Sequence, residues 1–205
     1  MKLTQKDYDL IVFLTRLVYY DIPYPNDFRC IGELKMLNGL RLNVFEMERF
    51  QLVVICGTNS FSVRDWIANI KVALGITPRQ YQQAYNYIND KAYKHSKPLV
   101  ICGHSLGGGI AEWCTSELYH RRNVTCITLN GCGCSHLMIP VLRKANVINI
   151  ITKHDILNGI TRRLPFKVYM QHIGESVIIE DKTWLPLSIK SHCDFESLAE
   201  YKIEK

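Results

Sequence analysis

The stretch Leu99-Val100-Ile101-Cys102-Gly103-His104-Ser105-Leu106-Gly107-Gly108-Gly109, followed by a helical pattern from Ile110 to Leu118, decides how the chain is read. Four apolar residues in a row read as a buried strand, and the G-x-S-x-G pattern at 103–107 follows it directly and opens onto a helix. In that setting the serine sits on a sharp strand-to-helix turn that holds its Oγ out of the sheet. Positions 103 and 107 must be small, because a Cβ at either would strike neighbouring backbone. The turn leaves the amide of Leu106 at the head of the helix, where the helix dipole favours a developing negative charge. The plain alternative is a glycine-rich capping loop with an incidental serine. A phosphate-binding loop fits poorly, since the run lacks both a Lys-Ser/Thr ending and the G-x-G-x-x-G order.

Upstream, Tyr81, Ala84, Tyr85, Ile88 and Ala92 share a helical face over 79–95, and Lys97-Pro98 leads from it into the strand at 99–102. Leu52 to Cys56 is a second fully apolar run. Before it, two alternating segments near 32–37 and 41–47 flank Asn38-Gly39, which predicts a hairpin. An amphipathic helix is predicted over 4–19, with Thr4 as its N-cap. Downstream, strands are predicted at Val124–Leu129, Val147–Ile151 and Ser176–Ile179, with a helix near 136–144. Strands alternating with helices give an α/β fold with a central, mainly parallel sheet and helices on both faces. With the serine turn in that frame, the expected fold is the α/β-hydrolase fold, in a single domain over residues 1–205 without repeats or linkers.

Of the 205 residues 47% are apolar and 21% charged, which excludes a disordered or fibrous chain, and no uncharged stretch is long enough to span a bilayer. Asp7, Asp9 and Arg16 interrupt the first apolar segment, so no unbroken signal-peptide core is present. The eight cysteines lie scattered, several inside apolar runs, and read as small buried hydrophobes in a reducing compartment; the expected location is cytoplasmic. A disulfide framework is the alternative that an even count leaves open. The formal charge of +6 reads as a solvated basic surface, or more sharply as a peripheral contact with an anionic membrane or lipid surface, and nothing in its pattern points to nucleic acid.

From about residue 41 onward the chain resembles the class 3, fungal-type lipase family of α/β-hydrolases. The resemblance rests on Val53-Val54-Ile55-Cys56-Gly57-Thr58, on Asp65-Trp66-Ile67-Ala68-Asn69, on Gly-His-Ser-Leu-Gly-Gly at 103–108, on Asn149 to Asp155, on Tyr169 to Gly174 and on Ser191-His192. The chain departs from the family pattern at Cys56, where an Arg is usual, and at Leu129-Asn130-Gly131-Cys132-Gly133, where the family tends to read Phe-Gly-x-Pro-Arg.

A serine hydroxyl needs a base, and the base an orienting acid, which this superfamily supplies in the chain order Ser, Asp or Glu, His. Ser105 is the nucleophile. Asp155, directly after the strand at 147–151, is the candidate acid, with Asp181 and Asp194 as rivals. His192 is the candidate base; His172 competes on chain order but fits the family's non-catalytic His-x-Gly position. His104 is expected to point away from the site as a packing or hydrogen-bonding residue, His95, His120 and His136 read as surface positions, and His154, beside Asp155, reads as exposed with contact to the site as the alternative. The oxyanion hole takes the Leu106 amide and, as the resemblance implies, Thr58, with Asp65 or Asn69 holding that loop. Ile156, Leu157, Ile160, Trp184, Leu185 and Leu187 would suit acyl chains at the mouth, or are simply core.

These residues describe a serine carboxylic-ester hydrolase acting on a lipid or small ester through an acyl-enzyme, a lipase or phospholipase. No metal or cofactor is required, and Cys132-x-Cys134 with His136 fits no standard zinc spacing. The alternatives are a lipase-like binding protein without activity, and an acyltransferase or thioesterase using the same residues. The stretch 59–78 is too short for a long mobile lid beside the Asp65-Trp66 turn and the apolar Ile70–Ile76 segment. Hydrolysis of dissolved short-chain esters is therefore expected below their solubility limit, with a weak rise on emulsification. A rate near zero for monomeric butyrate esters that climbs steeply at the emulsion point refutes the open site.

Overall fold

A computed structural model describes residues 1–57, 78–92, 97–120, 123–135, 146–161, 170–182 and 188–203. The chain opens with α1 (Gln5–Tyr19), which starts where the sequence supplies a cap. Thr4 is extended, its hydroxyl accepts from the Asp7 amide at 3.2 Å, and the Asp7 carboxylate accepts from the Thr4 amide at 2.8 Å. This reciprocal capping box satisfies two otherwise orphaned donors. One face of α1 is buried through Tyr8, Ile11, Leu14 and Val18.

The predicted hairpin is β1 (Arg29–Lys35) and β2 (Arg41–Glu46), in register Lys35↔Arg41, and Gly39 takes φ 86° in the turn after Asn38. β3 (Gln51–Cys56) pairs antiparallel with β2 and parallel with β4 (Leu99–His104). From β4 outward, β5 (Val124–Leu129), β7 (Asn146–Thr152) and β9 (Glu175–Ile179) are added in parallel. Among the described residues the result is a seven-stranded sheet in the order β1-β2-β3-β4-β5-β7-β9, beside a two-stranded ribbon of β6 (Cys134–Ser135) and β8 (Met170–Gln171).

The helices are α2 (Pro78–Lys91), α3 (Leu106–Leu118), α4 (Ile156–Thr161), α5 (Ile189–His192) and α6 (Phe195–Ala199). Strand alternation sorts the central residues onto two faces. Leu52, Val54, Val100, Cys102, Ile127 and Ile150 bury against α1 and α6. Val53, Ile55, Leu99, Ile101, Cys126 and Val147 bury against α2 and α3. Both faces are thus covered, which is why the central strands read as continuous apolar runs rather than alternating ones. The helix expected near 136–144 lies outside the described residues. α1 is fastened to the far end of the chain: the Tyr8 hydroxyl donates to the Leu198 carbonyl at 2.6 Å, Gln5 Nε2 donates to the Tyr201 carbonyl at 3.0 Å, and the Ile203 amide donates to Gln5 Oε1 at 2.9 Å.

Between β4 and α3 the backbones touch. A Cβ on Gly103 would lie 2.1 Å from the Gly107 carbonyl oxygen, and one on Gly107 would lie 2.2 Å from the Ile55 carbonyl oxygen. Both obstacles are main chain, so neither can be relieved by a rotamer change. Gly107→Ala is therefore expected to cost about 3 kcal/mol or more in urea unfolding. An unchanged midpoint would mean that the helix stands further from the sheet than described.

Candidate active site

Ser105 stands between β4 and α3 with φ 59° and ψ −129°, one of three non-glycine residues at positive φ among the described residues. Such a conformation costs about 1–3 kcal/mol and persists only where the surroundings over-determine it. Here they do. The Ser105 amide donates to the Leu129 carbonyl at 3.3 Å, and its own carbonyl accepts from the amides of Gly108 at 2.9 Å and Cys132 at 3.1 Å. The turn is held by β5 and the segment after it as much as by its own helix. Gly57, at the end of β3, lies against it: a Cβ there would come within 3.2 Å of Ser105 Oγ and 3.1 Å of the Leu106 amide nitrogen. Gly57, the first residue after β3, thus lies beside both groups. Thr58 itself lies outside the described residues, as do Asp65 and Asn69.

On the same edge of the sheet, Asp155 follows β7 and His192 ends α5. Their side chains are fully buried, and His192 Nδ1 lies 2.5 Å from Asp155 Oδ2. The other carboxylate oxygen, Oδ1, accepts from the backbone amide and from Nδ2 of Asn158, both at 2.7 Å. Asp155 is thereby pinned with one oxygen turned to the imidazole. Because a carboxylate only accepts, His192 carries its hydrogen on Nδ1 towards Asp155, which assigns the tautomer.

The backbone beneath His192 is held as firmly. Its carbonyl accepts from His104 Nε2 at 2.9 Å and from Asn130 Nδ2 at 3.0 Å, and Asn130 Oδ1 in turn accepts from the Thr152 amide at 2.8 Å. The Ser191 carbonyl accepts from Thr152 Oγ1 at 3.1 Å, and the Ser191 hydroxyl donates to Asp181 Oδ2 at 2.6 Å. The His104 and His192 ring centroids are 4.8 Å apart with the rings tilted by 44°, and His104 precedes Ser105, so the base segment lies beside the serine turn.

Among the candidates read from sequence, Asp155 and His192 are brought together and the rivals are placed elsewhere. Asp181 bonds His154 Nδ1 at 3.0 Å, and Asp194 caps α6 by accepting from the Ser197 amide at 3.0 Å. His172 lies between Glu112 and Asn158, at 2.9 and 2.8 Å. His154 is only partly exposed, because its ring and amide both bond Asp181. Of the apolar residues expected at a mouth, Leu157 is fully buried beside Cys132, with Leu106, Ile156 and Ile189 packed around them; Trp184, Leu185 and Leu187 lie outside the described residues. Asn130, Asn158 and Glu112 were not singled out by the sequence. The one signal for Asn130 was its place in the segment that departs from the family pattern.

Burial, followed by the nearby charge of His192, lowers the His104 imidazole to about 3 from an ordinary 6.5. The unfolded chain then binds a proton at this residue below pH 6.5, whereas the folded chain does not until pH 3. Stability is therefore lost as pH falls through that window, by about 1.4 kcal/mol per pH unit for this one proton. His104→Gln keeps a donor for the His192 carbonyl and removes the titration. Urea unfolding between pH 7 and 4 is expected to show a shallower acid loss in the variant, and parallel curves would contradict the buried neutral imidazole.

Comparison with known proteins places the fold. A family model described as a Tle-like phospholipase domain matches residues 27–150. An extracellular phospholipase A1 of Serratia liquefaciens is 32% identical over 126 residues, which are 62% of this chain and 37% of that protein; the chain thus spans little more than a third of the relative. Among solved structures, a lipase of Rhizopus microsporus var. chinensis aligns with a TM-score of 0.58 at 17% identity, over 95% of this chain and 83% of that one. A triacylglycerol lipase of Penicillium expansum aligns at 0.57 and 12%, over 86% and 79%, and the triacylglyceride lipase of Rhizomucor miehei at 0.55 and 18%, over 87% and 82%. The α/β-hydrolase fold and the resemblance to fungal class 3 lipases are borne out at the level of architecture. With its family model matched over more than half its length, the chain belongs to the Tle-like phospholipase domain family.

Proposed function

We propose that the protein is a serine hydrolase of carboxylic esters, acting on phospholipid or related lipid esters through Ser105, Asp155 and His192. The observation that carries this reading is the 2.5 Å bond between two fully buried side chains, His192 and Asp155, beside a serine held at φ 59°. An imidazole with Nδ1–H fixed on a carboxylate presents Nε2 as a base.

In the reaction, Ser105 Oγ attacks the ester carbonyl carbon and its proton passes to His192 Nε2. Asp155 stabilises the imidazolium that results. The carbonyl oxygen, now negative, takes hydrogen bonds from the Leu106 amide at the head of α3 and from Thr58. Collapse breaks the ester C–O bond, the proton moves from His192 to the leaving alcohol, and an acyl-serine remains. Water attacks it by the same route in reverse and frees the fatty acid. The family and the name of the Serratia relative support a phospholipid as substrate. The surplus of positive charge supports a peripheral contact with an anionic lipid surface.

No helix among the described residues is long and apolar enough to cross a membrane. All eight cysteines are free thiols, which supports action in a reducing compartment such as the cytoplasm, whereas the Serratia relative is by name extracellular. Cell fractionation distinguishes the two.

A fluorophosphonate probe is expected to label the unaltered protein and not Ser105→Ala. Hydrolysis of phosphatidylcholine, triacylglycerol and dissolved short esters should fall by about 10⁶-fold in Ser105→Ala or His192→Ala, and by about 10⁴-fold in Asp155→Asn. A folded protein that neither takes the probe nor hydrolyses any of the three refutes the reading. Acyl transfer to an added alcohol or thiol in place of hydrolysis would make it an acyltransferase.

A further inference from the structure

Behind Asp155 runs a second set of polar contacts, buried at Glu112 and Asn158 and part-buried at His172, that the reaction does not use. Glu112 lies on α3, two turns beyond Ser105, and is fully buried, as is its carboxylate. Its Oε1 is 2.9 Å from His172 Nδ1, and its Oε2 accepts from the Ile173 amide at 3.2 Å. His172 Nε2 is 2.8 Å from Asn158 Oδ1, and Asn158 Nδ2 donates to Asp155 Oδ1 at 2.7 Å and to the Gly131 carbonyl at 3.3 Å.

Hydrogen-bond logic fixes the direction of this chain. A carboxylate only accepts, so the amide group turned to Asp155 is Nδ2, and Asn158 Oδ1 is left facing His172. An amide oxygen also only accepts, so His172 must carry a hydrogen on Nε2. The remaining ring nitrogen and Glu112 then share a single proton, as imidazolium with carboxylate or as imidazole with carboxylic acid, and both forms are neutral overall. Burial pushes the Glu112 carboxyl up, and the bonds from His172 and the Ile173 amide draw it back down.

We propose that Glu112, His172 and Asn158 form a positioning chain that fixes Asp155 in the orientation His192 requires. The proposal rests on the triad reading of Ser105, Asp155 and His192 and deepens it. Its physical content is that His172 Nε2–H locks the Asn158 amide against a flip that would turn Oδ1 towards the Asp155 carboxylate, acceptor against acceptor. Glu112, bonded to Nδ1, holds the ring so that Nε2–H faces Asn158. Because Glu112 and Ser105 belong to the same helical segment, the acid is referenced to the element that carries the nucleophile, and a movement of α3 moves both together. A misplacement of reacting groups by about 1 Å is worth about 10²-fold in rate, which is the scale on which such referencing matters.

The test uses His172→Phe combined with Glu112→Leu, which removes the chain without leaving a buried charge unpaired. In the folded double variant, kcat on a dissolved short-chain ester is expected to fall by about 10²-fold with KM nearly unchanged, and the low-field proton NMR signal of the His192–Asp155 bond is expected to shift or broaden. Glu112→Gln, whose amide can donate to His172 Nδ1 and leave Nε2–H for Asn158, recovers most of the activity lost by the double variant. Retained kcat with an unmoved proton signal overturns the proposal, since a merely structural role would lower thermal stability and leave both in place. Should the double variant not fold, Asn158→Ala breaks the chain at one link and is judged by the same two readouts. If the unaltered protein hydrolyses no ester and takes no fluorophosphonate, the hydrolase reading fails, yet the proton signal still decides the positioning chain because it needs no substrate.

Discussion

Main chain lies directly on main chain where the first turn of α3 meets β3 and β4. With no side chain at Gly103 or Gly107 to act as a spacer, the helix comes down until its backbone touches the carbonyls of the sheet. That approach sets the exit angle of the chain after β4 and so forces Ser105 into a conformation that an L-residue does not choose. The rest of the edge is built around this turn. β5 supplies an acceptor for the Ser105 amide, and the segment after it supplies a donor to the Ser105 carbonyl. The segment that directly follows β5 is accordingly registered to the serine.

A second constraint is the cost of burying polar groups without partners, about 1–3 kcal/mol each. The edge of a parallel sheet exposes carbonyls and amides that must be answered, and here they are answered by side chains. Asn130 alone spans from the Thr152 amide to the carbonyls of Ser191 and His192. His104 completes the His192 carbonyl from the other side. Aligning the imidazole is therefore a by-product of satisfying the backbone under it, and specificity of geometry comes from the same bonds that stabilise the fold.

The architecture was legible because it is written in local pattern. Apolar runs at 52–56, 99–102 and 124–129, the Thr4 cap and the Asn38-Gly39 turn each state their own structure without reference to distant residues. Ser105 was legible for the same reason, being part of a contiguous motif, and Asp155 and His192 followed from chain order with help from a family resemblance. Asn130, Asn158 and Glu112 were not, since nothing local marks them. An asparagine after a strand reads as a turn residue and a glutamate in a helix as a solvated one. Their meaning appears only when positions separated by tens of residues meet at one edge. His172 shows the limit from the other side: chain order alone makes it a competitor for the base, yet its partners are Asn158 and Glu112 rather than the serine turn.

The seam between α1 and the last described residues bears on the way the chain is made. On a ribosome α1 emerges early, with Tyr8, Ile11 and Leu14 uncovered, while Leu198, Tyr201 and Ile203, to which Tyr8 and Gln5 bond, are still unsynthesised. The strands that α1 packs on arrive before α6, so the part of its apolar side that seals against α6 is the last to be covered. His192 belongs to that same late stretch. A nascent chain arrested before it lacks the base, so translation order itself withholds the assembled site until residue 192 has been delivered.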